Sequence, residues 1–338
     1  MQSFVADAPI RWGILGTGAI AAAFATDLAL LADAELVAVG SRTLRSAVAF
    51  ADRFAIPHRH GSYPALVGDE DVDVVYVATP HPAHRDSALL AIKAGKAVLV
   101  EKPFTLNAAE ARDLVAAARA RGTFLMEAMW TRFLPHVVRV RELLAAGRLG
   151  AVRSFMADFG GQAPSDATHR AWALDLGGGA LLDLGIYPLS FASMLFGTPS
   201  SISAVSDPAV TGVDAQTAVV LTYGDGELAV VFTTLETPTA CRACISGTDA
   251  RIEIEGEFFA PTRFRIIDRT GPEEIYEVAH EGRGLRHQAA EVGRCLRAGL
   301  VESAAMPLAE TVSIMESMDE IRRQIGLVYP SERVDSTS

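Results

Sequence analysis

With 338 residues, half of them hydrophobic, the chain is long enough for two domains of about 150 residues each and a sizeable core. Its 41 acidic against 30 basic residues give a net charge of −11, which argues against nucleic acid or an anionic membrane as a partner. Met1 to Pro9 carry neither a basic nor an apolar leader, and an odd set of three cysteines (Cys241, Cys244, Cys295) fits a reducing compartment, so a cytoplasmic protein without a secretory signal is expected.

The chain opens on a short strand, Arg11 to Leu15, a glycine turn, and an apolar helix from Ala19 to Leu31. Gly16-x-Gly18-x-x-Ala21 is the dinucleotide fingerprint with alanine in the third place. Gly16 permits the tight turn, Gly18 lets the backbone approach a pyrophosphate, and Ala21 lets the helix pack on the strand. Gly16, Thr17, Gly18, Ala19 and Ile20 are the expected cradle, with the pyrophosphate on the amides that open the helix.

The second strand is Glu35 to Gly40. An NAD site places an acid near its end to hold the ribose hydroxyls, but the chain reads Gly40-Ser41-Arg42 there, with Arg45 following. Ser41 and Arg42 are suited to a 2′-phosphate, so NADP is expected in preference to NAD. A further strand, Asp73 to Pro80, is followed by a helix from Ala83 to Ala94. Thr79, Pro80 and His84 fall at its cofactor-side end, and His81-Pro-Ala-His84 reads as a loop rather than a metal pair; no metal site is assigned.

Ala97 to Glu101 is a short apolar run bounded by Gly95-Lys96 and stopped by Pro103, as a buried parallel strand would be. Ligands of open α/β sheets sit beyond the carboxyl ends of the strands, which points Lys102 into a crevice. A helix from Ala108 to Arg121 and a strand from Thr123 to Ala128 complete an alternating pattern that implies a right-handed, doubly wound parallel sheet.

From Trp130 the pattern changes. A helix from Leu134 to Ala145 precedes alternating stretches at 152–159, 201–206, 216–223, 227–235, 240–247, 250–255 and 264–268, and two helices, 285–298 and 308–324, close the chain. The expected fold class is α/β. A Rossmann domain over residues 1–130 is followed over 131–338 by an α+β domain with a large, mostly antiparallel sheet. The uncharged stretch from Leu184 to Ser206 is broken by Gly185, Pro188, Gly197 and Pro199 and is not a membrane span. Cys241-Arg-Ala-Cys244 has the spacing of half a zinc site, but no second pair completes it. Gly177-Gly-Gly-Ala-Leu-Leu-Asp183 leads into a helix in which Asp183 and Tyr187, four residues apart, share one face, as an acid and a phenol that bind a polyol and move a proton would.

The fingerprint, Glu101-Lys102-Pro103, the Asp183–Tyr187 helix and the sheet-rich second half together resemble the Gfo/Idh/MocA oxidoreductase family over residues 10 to 330. Within it, Met126-Glu-Ala-Met-Trp130-Thr-Arg132-Phe and Tyr187 are similar to the branch of dimeric dihydrodiol dehydrogenases and NADP-dependent xylose dehydrogenases. The chain departs from many members at Tyr187 (histidine there), Ser190 (aspartate) and His81 (asparagine).

The resemblance implies hydride transfer between a nicotinamide and a CH–OH/C=O carbon of a small-molecule sugar or cyclic diol, in a homodimer or homotetramer assembled through the C-terminal sheet. Lys102, Tyr187 and Asp183 are the expected catalytic residues. A phenol titrates near 10, and a neighbouring ammonium brings that down, so Tyr187 carries the proton with Lys102 as the cation; the alternative makes Lys102 the carrier. Asp183 accepts a hydrogen bond from a second substrate hydroxyl. Glu101 orients Lys102 or the ribose, Trp130 and Arg132 line the cofactor pocket, and His169, Arg170 and Trp172 belong to a substrate loop. Competing readings are an NAD-dependent glycosidase with transient oxidation, a keto-sugar reductase and a cofactor-binding sensor.

Overall fold

The computed structural model describes residues 8–332. Most of the N-terminal stretch read as lacking a secretory signal lies outside the described residues. The chain forms two compact units: residues up to Phe133 together with Glu281–Val312, and Leu134–His280 together with the residues from Ser313 onward.

The first unit holds a six-stranded parallel sheet. Its elements in chain order are β1 (Ile10–Leu15), α1 (Ala19–Leu28), β2 (Ala34–Gly40), α2 (Leu44–Phe54), β3 (His58–His60), α3 (Tyr63–Val67), β4 (Val74–Val77), α4 (His84–Lys93), β5 (Ala97–Glu101), α5 (Ala108–Arg121) and β6 (Leu125–Ala128). The spatial order is β3-β2-β1-β4-β5-β6, the doubly wound arrangement expected from the alternating pattern. Every residue of β4, β5 and β6 is buried, because helices cover both faces of a parallel sheet and no polar alternation survives. Ser62 caps α3 and Asn107 caps α5, each accepting a hydrogen bond from a first-turn amide. The sequence reading missed β3 and α3: β3 is three residues long and carries two histidines, so it has no apolar run to detect.

The second unit contains α6 (Pro135–Ala145), β7 (Val152–Gly160), a π-helical turn at Leu181–Gly185, α7 (Ile186–Phe196) and the strands β8 (Ser201–Pro208), β9 (Asp214–Thr222), β10 (Leu228–Thr234), β11 (Ala243–Gly247), β12 (Ala250–Ile254), β13 (Phe264–Asp268) and β14 (Glu274–Tyr276). They form one eight-stranded sheet, β14-β13-β12-β11-β7-β10-β9-β8, antiparallel except for the β7–β10 pair. One face packs on α7, with Phe155 stacked on Phe191 at 5.3 Å. Leu174–Phe196 is long and apolar enough to cross a membrane, but 72% of its 18-residue apolar window is buried, as in a core helix.

The chain then returns. Residues 281–312, with α8 (Arg286–Arg297), belong to the first unit, whereas the sequence reading placed them in the second. Two polar contacts hold the return. The buried Asp27 carboxylate of α1 accepts hydrogen bonds from the amides of Arg283 and Leu285, and Leu125 of β6 donates to the Val301 carbonyl at 3.1 Å. An amphipathic helix fixes its buried stripe but not its partner, so local pattern could not assign α8. The helix α9 (Leu308–Ile325) closes the regular structure.

Candidate active site

In the first unit, the turn after β1 is built for a phosphate-bearing ligand. Gly16 has φ +109°, and a Cβ there would land on the Ala78 carbonyl oxygen, so only glycine fits. Gly18 is the reverse: a Cβ there would meet nothing within 4 Å, which leaves open space beside the backbone. Gly18 is the N-cap of α1 and contributes no capping side chain, so the first-turn amides of Ala19 and Ile20 stay available to an anion. Thr79 Oγ1, just past β4, is buried without a hydrogen-bond partner. These features fit a dinucleotide. At the end of β2, Ser41 is mostly buried, with its amide on the His60 carbonyl at 3.1 Å, while Arg42 is exposed; no carboxylate lies between Gly40 and Arg45.

Lys102 follows β5 in a segment fixed residue by residue. The Lys102–Pro103 peptide is cis. Glu101, 4% exposed, accepts from the Tyr76 hydroxyl through one oxygen and from the Lys102 amide at 3.2 Å through the other. His84 reaches the Pro103 carbonyl from Nδ1 and the Thr79 carbonyl from Nε2, each at 2.8 Å. The Phe104 amide donates to Glu127 Oε1 at 3.2 Å. Three buried side chains, at 2.8 to 3.2 Å, thus hold residues 102 to 104, and Lys102 itself is half-exposed.

His84, expected beside the cofactor, is fully buried, with its ring between the Pro103 and Thr79 carbonyls that flank the two loops. Burial, with smaller help from the Lys102 charge, pushes its pKa down. Arg132 was expected to line the cofactor pocket. It is 3% exposed and donates to Glu310 at 2.6 Å, which makes it a buried brace for the turn that also carries Trp130, itself mostly buried.

In the second unit, the Asp183–Tyr187 segment is not the plain α-helix that its spacing suggested. Leu181–Gly185 is a π turn, so Asp183 sits on the wider turn and Tyr187 on the first turn of α7. Asp183 accepts from Arg170 Nη2 at 3.1 Å. Tyr187 packs its ring against Phe159 and Phe259, each at 5.4 Å. Trp172 donates from Nε1 to the Pro164 carbonyl at 2.6 Å and packs on the Ala171–Ala180–Leu235 cluster, while His169 accepts from the Ala171 amide.

Two carboxylates that support these segments escaped the sequence reading. Glu127 is fully buried, and burial raises its pKa to about 7. Asp214, at the start of β9, accepts from the Leu181 amide at 2.7 Å and from Thr217 Oγ1 at 2.8 Å, which seats the π turn. Gly179, at φ +118°, must be glycine because a Cβ would land on Asp214 Oδ1. No sequence signal marks Asp214: strict alternation along β9 puts it with Gln216, Ala218 and Val220, on the less buried side.

Burial raises the Asp214 pKa to about 6, against about 3.9 for an unfolded aspartate. The native state therefore holds a proton that the unfolded chain has lost between pH 4 and 6, and stability falls as pH rises through that window. Relative to wild type, Asp214→Asn should flatten this slope, worth about 2–3 kcal/mol between pH 4 and 7. Urea melts at pH 4.5 and 7 check it, and an unchanged wild-type-minus-variant difference would refute it.

Comparisons with known proteins place these features in a family. Residues 10–129 match the oxidoreductase family with an NAD-binding Rossmann fold, and residues 137–253 match the GFO/IDH/MocA C-terminal domain. Among curated relatives, the trans-1,2-dihydrobenzene-1,2-diol dehydrogenase of Bos taurus is 40% identical, over 96% of this chain and 99% of its own. That of Homo sapiens is 38% identical with the same coverage. Among solved structures, KijD10, a 3-ketoreductase from Actinomadura kijaniata in complex with NADP and TDP-benzene, is 28% identical with a TM-score of 0.83, covering 94% of this chain and 98% of its own. The aldose-aldose oxidoreductase of Caulobacter crescentus, complexed with glycerol, is 26% identical with a TM-score of 0.85, covering 94% and 97%. The chain belongs to the Gfo/Idh/MocA oxidoreductase family and is an NAD(P)-dependent dehydrogenase or reductase.

Proposed function

We propose that this chain is an NADP-dependent oxidoreductase that interconverts CH–OH and C=O at one carbon of a sugar or cyclic diol. The observation that carries the reading is Lys102, held at the carboxyl end of β5 by three buried side chains in the unit that also bears the open, uncapped start of α1. The dihydrodiol dehydrogenase relatives and the NADP-bound ketoreductase support the substrate class and the cofactor.

The nicotinamide supplies the hydride acceptor or donor. This chain's own residues must hold the carbinol and move one proton. Lys102 donates a hydrogen bond to the reacting oxygen and stabilises negative charge there. Tyr187 takes the hydroxyl proton in oxidation and returns it in reduction. Asp183 accepts from a neighbouring substrate hydroxyl once Arg170 shares it, and Trp172 and His169 shape the loop around Arg170. Thr79 and Pro80 border the nicotinamide half, and Ser41 and Arg42 take the 2′-phosphate.

The assembly is a homo-oligomer through the open face of the eight-stranded sheet. Met156, Val230 and Val220 lie side by side in register across β7, β10 and β9, and all three are exposed. A contiguous apolar row of this kind is what a second copy would cover.

Initial rates with NADP and, separately, NAD over D-xylose, D-glucose and a trans-dihydrodiol test the reading. NADPH formation with a sugar or diol, and little with NAD, is expected. Arg42→Ala should raise the KM for NADP roughly 10- to 100-fold and leave that for NAD within about threefold, as the loss of one charge-assisted contact implies. Equal effects on both cofactors would sink the Arg42 assignment. Oxidation of none of the compounds, with turnover of NADPH on a keto sugar, would fix the enzyme as a reductase.

A further inference from the structure

At the outer edge of the parallel sheet, β3 places His58 and His60 on one face, since residues two apart in a strand point the same way. Asp69, just past α3, turns one carboxylate oxygen toward both. Its Oδ2 lies 2.7 Å from His58 Nδ1 and 2.8 Å from His60 Nε2. The three ligand-type atoms all fall within 4.8 Å of one another. We propose that His58, His60 and Asp69 form a binding site for a divalent late first-row cation of the zinc class.

Four observations favour a site over a simple clamp for the edge strand. Two imidazoles converge on the same oxygen, as they do around a shared ion. The other Asp69 oxygen is held by the Asp71 amide at 2.9 Å, so the carboxylate is already oriented. A second carboxylate stands behind the first histidine: Asp71 Oδ2 is 3.9 Å from His58 Nε2, while its other oxygen, Oδ1, accepts from Arg11 at 2.7 Å. Metal-bound histidines characteristically turn their outer N–H to such a group. The Asp69 backbone carbonyl accepts from Lys96 Nζ at 2.7 Å, which fixes the loop.

The donor set also selects the ion. Two imidazoles and one carboxylate suit zinc and its neighbours rather than magnesium or calcium, which prefer all-oxygen shells. A tetrahedral ion at about 2.0–2.1 Å from each ligand needs ligand atoms about 3.3 Å apart, so the two short contacts must open by about half an ångström. His58 and His60 are partly exposed and can make that shift, and water completes the shell. The site borders the β2 terminus, where the His60 carbonyl takes the Ser41 amide, but it uses none of the residues assigned to the nucleotide.

The test is calorimetric titration of the chelator-stripped full chain with zinc chloride. One equivalent should bind saturably, with affinity at least ~100-fold weaker in His60→Ala and in Asp69→Asn. It should be unchanged in the double substitution Cys241→Ser, Cys244→Ser, which removes the competing thiols. Absence of saturable binding, or wild-type affinity in either triad variant, overturns the proposal. Cobalt(II) bound to the unmodified chain gives an answer even if a variant misfolds: a ligand-field spectrum without a thiolate charge-transfer band supports the site, and a thiolate band refutes it.

Discussion

Lys102→Ala should abolish turnover while NADPH still binds. The ammonium is proposed both to hydrogen-bond the reacting oxygen and to stabilise its developing charge, and removing one such group costs about 10²–10³ in kcat. If Lys102 also carries or relays the proton, a further loss within the ~10²–10⁴ range of general acid–base catalysis follows. A fall of at least about 10³ in kcat is therefore expected. The surrounding geometry should persist, because the segment is held by Glu101, His84 and Glu127 through the Lys102 and Phe104 amides and the Pro103 carbonyl, none of which the substitution removes. Steady-state rates combined with fluorescence titration of NADPH separate the two quantities. Turnover within about tenfold of wild type would remove Lys102 from the chemistry.

The second large effect divides between two glycines. Gly16→Ala forces a left-handed residue's Cβ onto the Ala78 carbonyl in the centre of the parallel sheet. The backbone must move or the unit must open, at a cost of about 3 kcal/mol or more. Gly18→Ala meets no protein atom within 4 Å and should leave the melting temperature unchanged. Its methyl group instead occupies the space a pyrophosphate needs, so NADPH affinity should fall at least roughly tenfold. Thermal melts and NADPH titration of both variants give opposite patterns if the turn cradles the dinucleotide. Full NADPH affinity in Gly18→Ala would mean that the open space beside α1 serves something else.

How far the sequence reaches is clearest at these same places. The fingerprint and the alternation of apolar strands with helices specify the parallel sheet because each rule acts over a few residues. The alternating runs from 152 onward do the same for the second sheet. The π turn at 181–185 is different: it depends on Asp214 taking the Leu181 amide, a partner 33 residues away, and spacing alone reads as an ordinary helix. The partners of His84 and Arg132 were equally out of reach: the Pro103 carbonyl lies 19 residues from the first and Glu310 178 from the second. β3 was invisible because its pairing with β2, not its own composition, makes it a strand, and the His58–His60–Asp69 cluster was hidden with it.

The return of residues 281–312 to the first unit has a consequence for synthesis. A ribosome completes β6 at Ala128, but the Val301 carbonyl that Leu125 needs, and the amides that satisfy the buried Asp27, emerge only after the whole intervening unit. At roughly 5–20 residues per second that delay is on the order of 10–40 s. During it, β6 is an unguarded edge, and Asp27 lacks both the donors and the segment that covers it in the finished fold. The nascent protein thus passes through a window in which its first half is assembled but unsealed, a natural point for chaperone engagement and for premature truncation to yield an aggregation-prone fragment.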